Sequence, residues 1–308
     1  MSFSSEIKEE LSRQLSSARH CRIAEIAAIL SMCGGVSISA NDRYKVKIQT
    51  ENIHVARKYF TLLQKTFNIG IEVSVRQGHG NSRGRIFTAV VTDQEDALRL
   101  LHATRTLEDD RFVVQNTCCK RAFLRGAFLA AGSVSDPVKF YHLEFVCATS
   151  ERAELIQQLL KTFELEAKIV QRKKYFVVYL KEGDRIVDLL NVIEAHSALL
   201  KLENIRILKE MRNSVNRKVN CETANIHKTV NAAVKQLEDI RYIRDTIGFD
   251  GLSEGLAQMA DIRLRNPDAT LKELGLLLIP QMGKSGVNHR LRKLSEIAEE
   301  LREKNHGS

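Results

Sequence analysis

The sequence predicts an α+β protein: a duplicated helix–strand unit of order αββαββα, followed by an all-α region that ends in a helix-turn-helix. Three observations carry this. The order of helical and alternating segments found before residue 105 returns after residue 118. Every strand-like alternation lies before about His196. Beyond that point apolar residues recur only at helical spacing.

In the first repeat, helical periodicity runs from Arg22 to Gly34, and Tyr44–Ile48 alternates as a strand does, with room for one more strand near Val36 to Ser39. Asn52 to Phe67 reads as a helix, with Ile53, Val55, Ala56, Phe60, Leu63 and Phe67 as its apolar positions. Two strand-like runs follow, Gly70–Arg76 and Arg85–Val91. The turn-rich Gln77–Gly84 between them reads as a hairpin turn; no helix follows it, so Gly78-His79-Gly80-Asn81 is not a phosphate loop. Asp93 opens a short helix through Leu101. The second repeat offers a helix over Cys119–Ala131 and a strand over His142–Ala148. A helix over Ser150–Phe163 follows, with Ser150 as its cap, then a hairpin of Glu166–Arg172 and Tyr175–Leu180, and a closing helix over Gly183–Ala195. Lys65-Thr66-Phe67 recurs as Lys161-Thr162-Phe163, and Gly35 as Gly132 at nearly the same offset.

After the repeats, Leu199 to Met211 is a charged helix that ends near Asn213–Arg217. Ile226, Val230, Ala233, Leu237 and Ile240 then form a 3.6-residue stripe. A second stripe, Leu252, Leu256 and Met259, stops at Asn266-Pro267. A third helix opens at Thr270 with Glu273 as a capping box, and a fourth begins near Ser285 with Val287, Leu291, Leu294, Ile297 and Leu301 as its apolar positions. The expected organisation is therefore 1–195 for the duplicated domain (repeats at about 20–105 and 118–195), a helical linker at 196–220, and 221–308 for the helical domain.

Composition narrows the function. The 308 residues are 44% hydrophobic and 28% charged, as in a globular protein and unlike a disordered one. There is no apolar run of the roughly 18 residues a membrane span needs. The N-terminus MSFSSEIKEELSRQL alternates charge with apolar residues and lacks a signal-peptide core, which places the chain in the cytoplasm. The six cysteines contain no CxxC and suit a reducing compartment. Lys+Arg 47 against Asp+Glu 38 leaves a net charge of +9, which favours a polyanionic partner, above all nucleic acid.

Each repeat opens with a helix rich in small residues and ending in glycine: Ala27–Gly35 and Leu124–Ser133. Small residues let two helix axes approach more closely than large ones allow, so these two helices are expected to pack across a pseudo-twofold axis. The arrangement resembles the LAGLIDADG homing endonucleases, whose αββαββα halves meet through two such helices. In that family the acidic residue before the final glycine binds the catalytic metal; those positions here are Gly34 and Ala131. Neither can hold a hard cation by its side chain, and Asp136 reads as a turn residue. The resemblance therefore implies a LAGLIDADG-like scaffold without nuclease chemistry: no catalytic residues, no metal, no cofactor. No Walker sequence, GxSxG or HExxH occurs, no Cys/His cluster at ligand spacing is legible, and Cys118-Cys119 reads as buried packing.

The stronger functional signal lies at the C-terminus. The helix from Thr270, a short loop over Ile279–Lys284, and the helix from Ser285 form a helix-turn-helix pattern. Val287, Leu291 and Leu294 face inward; Ser285, Asn288, His289, Arg292 and Lys293 point away. Met282 to Lys293 holds Lys284, Arg290, Arg292 and Lys293 and no acidic residue. Arg and Asn suit base edges, while Ser and a helix N-terminus suit phosphate. Lys284, Ser285, Asn288, His289, Arg290, Arg292 and Lys293 are thus the expected contacts to double-stranded DNA. A second basic cluster spans Lys201 to Lys218.

The combination resembles the WhiA family of Gram-positive bacteria over nearly the whole chain. The carrying segments are Ser2-Phe3-Ser4 with Lys8, Glu10 and Leu11; Asn216-Arg217, Asn220-Cys221, Ala224-Asn225 and Lys228; and Ser285–Lys293. The resemblance implies a non-enzymatic, nucleoid-associated transcription regulator linked to sporulation, cell division or chromosome segregation. A protein regulator or an RNA polymerase component would dock on the N-terminal domain. Two other classes stand beside it: an active nuclease, which would need the missing motif carboxylates, and an RNA- or protein-binding module on the same scaffold, as in intron maturases.

Overall fold

The computed structural model describes residues 2–38, 43–77, 84–106 and 113–306. Most of the hairpin turn read at Gln77–Gly84, and Ser39 at the end of the predicted first strand, lie outside them. The chain divides into two compact units, Met1–Glu210 and Met211–Ser308.

Unit 1 opens with α1 (Phe3–Arg13). The first repeat is α2 (Arg19–Cys33), β1 (Gly34–Ile38), β2 (Tyr44–Thr50), α3 (Ile53–Phe67), β3 (Glu72–Gln77), β4 (Arg85–Val91) and α4 (Gln94–Thr104). The second is α5 (Thr117–Ala131), β5 (Gly132–Val134), β6 (Leu143–Cys147), α6 (Ser150–Lys161), β7 (Lys168–Arg172), β8 (Tyr175–Leu180) and α7 (Gly183–Val192). Each is αββαββα. Each forms an antiparallel four-stranded sheet, in the orders β1-β2-β4-β3 and β5-β6-β8-β7.

Local chemistry explains the boundaries. Asn52 and Asp93 cap α3 and α4 by accepting from His54 N and Asp96 N. The cap of α6 is Thr149, not Ser150: its hydroxyl accepts from Arg152 N, three residues on, which places Ser150 inside the first turn. The charge alternation of the N-terminus conceals a helix, α1. Its signal is the i, i+4, i+8 series Phe3, Ile7 and Leu11, all buried, behind a Ser2 cap.

At the centre of unit 1, α2 packs on α5, as the small residues predict. A side chain at Gly126 would bring its Cβ to 2.5 Å from the Glu25 carbonyl oxygen and 2.9 Å from the Ala28 methyl, so only glycine permits this approach. The strands also correct the internal alignment. Gly34, not Gly35, matches Gly132: both cap their helix and both open the first strand of their sheet. The positions before the capping glycines are therefore Cys33 and Ala131, again without a carboxylate.

The interface of α2 with α5 also buries charge. Glu25 lies 3.0 Å from Lys58 Nζ and 3.2 Å from Arg125 Nε, with all three side chains almost wholly buried, and Arg125 reaches Glu194 at 2.5 Å. Lys58 also donates to the carbonyls of Leu11 (3.2 Å) and Gln14. Burial lowers the Lys58 pKa, and Glu25 opposes that shift.

The segment after α7 differs from the expectation. A single helix, α8, runs from His196 to Thr246, 51 residues, straight through Asn213–Arg217 where an end was predicted. Asn and Ser there suggested a terminator, but the segment contains neither Gly nor Pro, and the first left-handed glycine is Gly248 at φ 70°. The 196–220 linker is thus part of a longer helix that enters both units. Of the predicted stripe on its second half, Ile226 and Val230 are exposed, Ala233 and Leu237 are half-buried, and Ile240 is buried with Ile243. The helices that follow are α9 (Glu254–Arg265), α10 (Leu271–Leu277) and α11 (Lys284–His306), and they cover only the later turns of α8.

Candidate nucleic-acid interface

In unit 2, Thr270 and Glu273 close a capping box that fixes the start of α10. Val287, Leu291 and Leu294 of α11 are buried at 0–1% exposure in one core with Leu274, Leu278, Leu256 and Met259. The turn between the two helices is tight for a readable reason. Met282 N–H donates to the Gly275 carbonyl at 2.9 Å. A Cβ on Gly275 would overlap the Met282 carbonyl oxygen, and one on Gly286 would come within 2.5 Å of the Met282 side chain. Two glycines therefore let α10 and α11 clasp Met282 between them.

Burying that stripe forces the rest of the first turns of α11 outward. Lys284, Ser285, Asn288, His289, Arg292 and Lys293 are all exposed. Ser285, Asn288 or His289, and Arg292 follow one another at three- to four-residue steps, so they share a face that begins at the helix N-terminus. Arg292 Nε donates to Glu296 at 3.1 Å, one turn on, with both side chains largely exposed. Such a pair holds the guanidinium weakly and leaves it available.

Arg290 does not join this face. It is half-buried, and its Nη1 donates to the Gly255 carbonyl at 3.1 Å, tying α11 to the start of α9. The Met282–Lys293 run of positive charge had grouped it with its neighbours, but helical phase turns it toward α9. The second basic cluster is likewise divided. Lys201 pairs with Glu6 at 2.6 Å, Arg206 pairs with Asp184 and Glu203, and Lys209 stands over the Tyr141 ring at 4.6 Å, all within unit 1. Arg212, Arg217 and Lys218 are exposed on the continuing helix.

In unit 1, at the glycine-capped end of α2, a cavity of about 520 Å³ adjoins Ser31, Gly34 and Gly35. The acidic residues on its wall, Glu151 and Glu154, come from α6 and not from the motif helices. Glu154 accepts from the Ser150 hydroxyl at 3.0 Å, and a hydrogen bond with Thr149 holds the Glu151 carboxyl below its usual range.

The sequence shows no Cys/His cluster at linear ligand spacing, but the fold brings the donor atoms of His20, Cys21, Cys118 and Cys119 within 4.8 Å of one another. Of the Cys118-Cys119 pair expected as buried packing, Cys119 is buried and Cys118 is exposed. Linear spacing hid the cluster because the two pairs lie about one repeat apart. The duplication held the signal: His20-Cys21 opens α2 as Cys118-Cys119 opens α5.

Fold and C-terminal geometry define a LAGLIDADG-like protein that carries a helix-turn-helix domain. Known families agree: residues 19–105 match the WhiA N-terminal LAGLIDADG-like domain, 120–212 the WhiA LAGLIDADG-like domain, and 215–298 the WhiA C-terminal HTH domain. The chain is 56% identical over 98% of its length to all of a Lachnoclostridium phytofermentans protein described as "Probable cell division protein WhiA". A protein of the same description from Alkaliphilus oremlandii is 50% identical, with 98% of each chain covered. The full-length crystal structure of DUF199/WhiA from Thermatoga maritima superposes with a TM-score of 0.61 at 26% identity, covering 97% of this chain and 99% of that one. The N-terminal LAGLIDADG domain of DUF199/WhiA gives 0.50 at 24%, covering 62% of this chain and 89% of its own, and shares the fold. The chain belongs to the WhiA family.

Proposed function

We propose that this protein is a sequence-specific, double-stranded-DNA-binding transcription regulator serving cell division, and that it has no nuclease activity. The observation that supports this best is the face of α11. Lys284, Ser285, Asn288, His289, Arg292 and Lys293 stand exposed on a helix whose other side is locked into the unit 2 core. A second helix held against its partner by a tight turn, with polar and basic residues on its first turns, is the form that enters a major groove. Asn and Arg can read adenine and guanine edges there, while Lys284 and Ser285 meet phosphate. Association with the nucleoid follows from that contact. The names of the WhiA relatives support the cell-division role. Cys33 and Ala131 at the motif ends support a scaffold role for unit 1, since neither supplies the carboxylate a metal-dependent cleavage needs.

The test is chromatin mapping of the intact protein beside a Lys284→Ala/Arg292→Ala/Lys293→Ala variant. Duplex binding by fluorescence anisotropy across a salt series accompanies it. Discrete sites lost in the variant are expected, with a log–log salt slope that falls by about one for each phosphate contact removed. Unchanged occupancy in the variant, or Mg²⁺-dependent nicking that copurifies with the protein, would overturn the proposal. Stronger binding to single-stranded RNA than to duplex DNA would favour the maturase-like reading instead.

A further inference from the structure

The two N-terminal ends of the central helices carry a group that DNA binding does not use. His20 and Cys21 lie in the first turn of α2, and Cys118 and Cys119 in the first turn of α5. His20 Nδ1 stands 3.1 Å from Cys119 Sγ and 3.4 Å from Cys21 Sγ, and all four donor atoms fall within 4.8 Å of one another. Tetrahedral Zn²⁺ with bonds of about 2.3 Å to sulfur and 2.0–2.1 Å to nitrogen sets its ligand atoms roughly 3.5–3.8 Å apart. The observed spacing brackets that value, and small rotations of exposed His20 and Cys118 would close the remainder.

We propose that His20, Cys21, Cys118 and Cys119 form a Cys₃His structural zinc site that staples the two repeats together at the N-terminal ends of α2 and α5. The donor set fits this ion: three soft thiolates and one imidazole, four ligands in all, supplied in adjacent pairs by pseudo-equivalent turns. Disulfide formation would use two of the three thiols and leave the third and the imidazole without a role.

The surroundings agree. Neither helix has an acidic residue in its first turn, and neither N-cap residue, Ala18 or Asn116, makes a side-chain capping bond. Two positive helix ends therefore face the place where three thiolates would carry one net negative charge around the dication. Zinc binding would release one proton to solvent for each thiol that ligates. A cavity of about 340 Å³ that includes Ser16, Cys21, Cys118 and Arg125 gives the ion a way in.

The experiment uses the full chain, purified under reductant and without chelator. Elemental analysis should give about one zinc per chain. After zinc is stripped, titration with Co²⁺ should produce thiolate-to-cobalt charge-transfer absorption and the intense visible bands of tetrahedral coordination. His20→Ala and Cys118→Ser change exposed side chains, so their circular dichroism should match the parent. Their zinc affinity, measured against a chromophoric chelator, should fall by at least about 100-fold, beyond the roughly 10–100-fold lost with an outer partner. The proposal is overturned if the reduced parent takes up no zinc and shows no cobalt bands. It is also overturned if both variants bind zinc as tightly as the parent, or if mapped peptides show a disulfide among these cysteines that persists in the presence of reductant.

Discussion

Leu291 and Arg292 are neighbours in sequence, but helical phase buries the first and exposes the second, so replacing each by alanine separates folding from recognition. Leu291 is 1% exposed among Leu274, Val287 and Leu294. Removing its side chain should cost unit 2 about 2–5 kcal/mol, the range for leucine to alanine in a packed core. Arg292 has a side chain 78% exposed, and its ion pair with Glu296 joins two groups in water. Such a pair contributes roughly 0.3–0.5 kcal/mol, so Arg292→Ala should leave stability nearly unchanged. Its effect belongs to DNA: a guanidinium bidentate to guanine contributes about 1–3 kcal/mol of discrimination, or roughly 5- to 150-fold in Kd on the specific site. If the group meets only a phosphate, binding should weaken equally on specific and scrambled duplexes, with a salt slope smaller by about one. The chain has no tryptophan, so unfolding is followed in urea by circular dichroism, and binding by anisotropy of a labelled duplex. The reasoning fails if Arg292→Ala combined with Asn288→Ala leaves affinity, specificity and salt dependence unchanged in a folded protein. It fails equally if Leu291→Ala keeps full stability.

Glu25→Ala should destabilise unit 1 by about 3–5 kcal/mol in a chemical melt, because Lys58 and Arg125 then lose their shared partner inside the α2–α5 interface. Burial lowers Lys8 to about 8 from its ordinary 10.5, opposed by Cys33. The unfolded chain then binds more protons between these values, and stability should rise over pH 8–10.5 by something of order 3 kcal/mol. Below pH 8 both states hold the proton and the contribution of Lys8 is level at its minimum, and Lys8→Met should abolish the slope above it in pH-dependent urea melts. The two cores share no residue, so fragments 1–210 and 211–308 should each unfold cooperatively by calorimetry; a non-cooperative trace from either would refute their independence.

The sequence made the repeats legible because each boundary has local chemistry behind it: Asn52 and Asp93 as caps, Gly34 and Gly132 as helix ends, alternating β2 and β4. The helix-turn-helix was legible for the same reason, through the Thr270–Glu273 box and the 287-291-294 stripe. What escaped depended on tertiary phase. Arg290 belongs to the basic run by sequence but to Gly255 by rotation. The length of α8 could not be read from Asn and Ser, which weaken a helix without stopping it. The buried Glu25–Lys58–Arg125–Glu194 network joins four distant positions, each an ordinary surface residue when read alone.

Duplication itself explains why two of the hidden features lie where they do. When two copies of a unit meet through equivalent helices, a residue near the axis comes close to its own counterpart, however far apart the two stand in the chain. At the glycine ends of α2 and α5 the positions before the capping glycines are Cys33 and Ala131, so neither motif end supplies a carboxylate. At the other ends the duplication brings His20-Cys21 to Cys118-Cys119. Midway the symmetry is broken on purpose of packing: Gly126 receives the Glu25 backbone, while the Glu25 side chain turns to Lys58 and Arg125, so the two halves fit in one register. Linear spacing conceals such pairs, because what joins His20-Cys21 to Cys118-Cys119 is their equivalent place in the first turns of the two central helices.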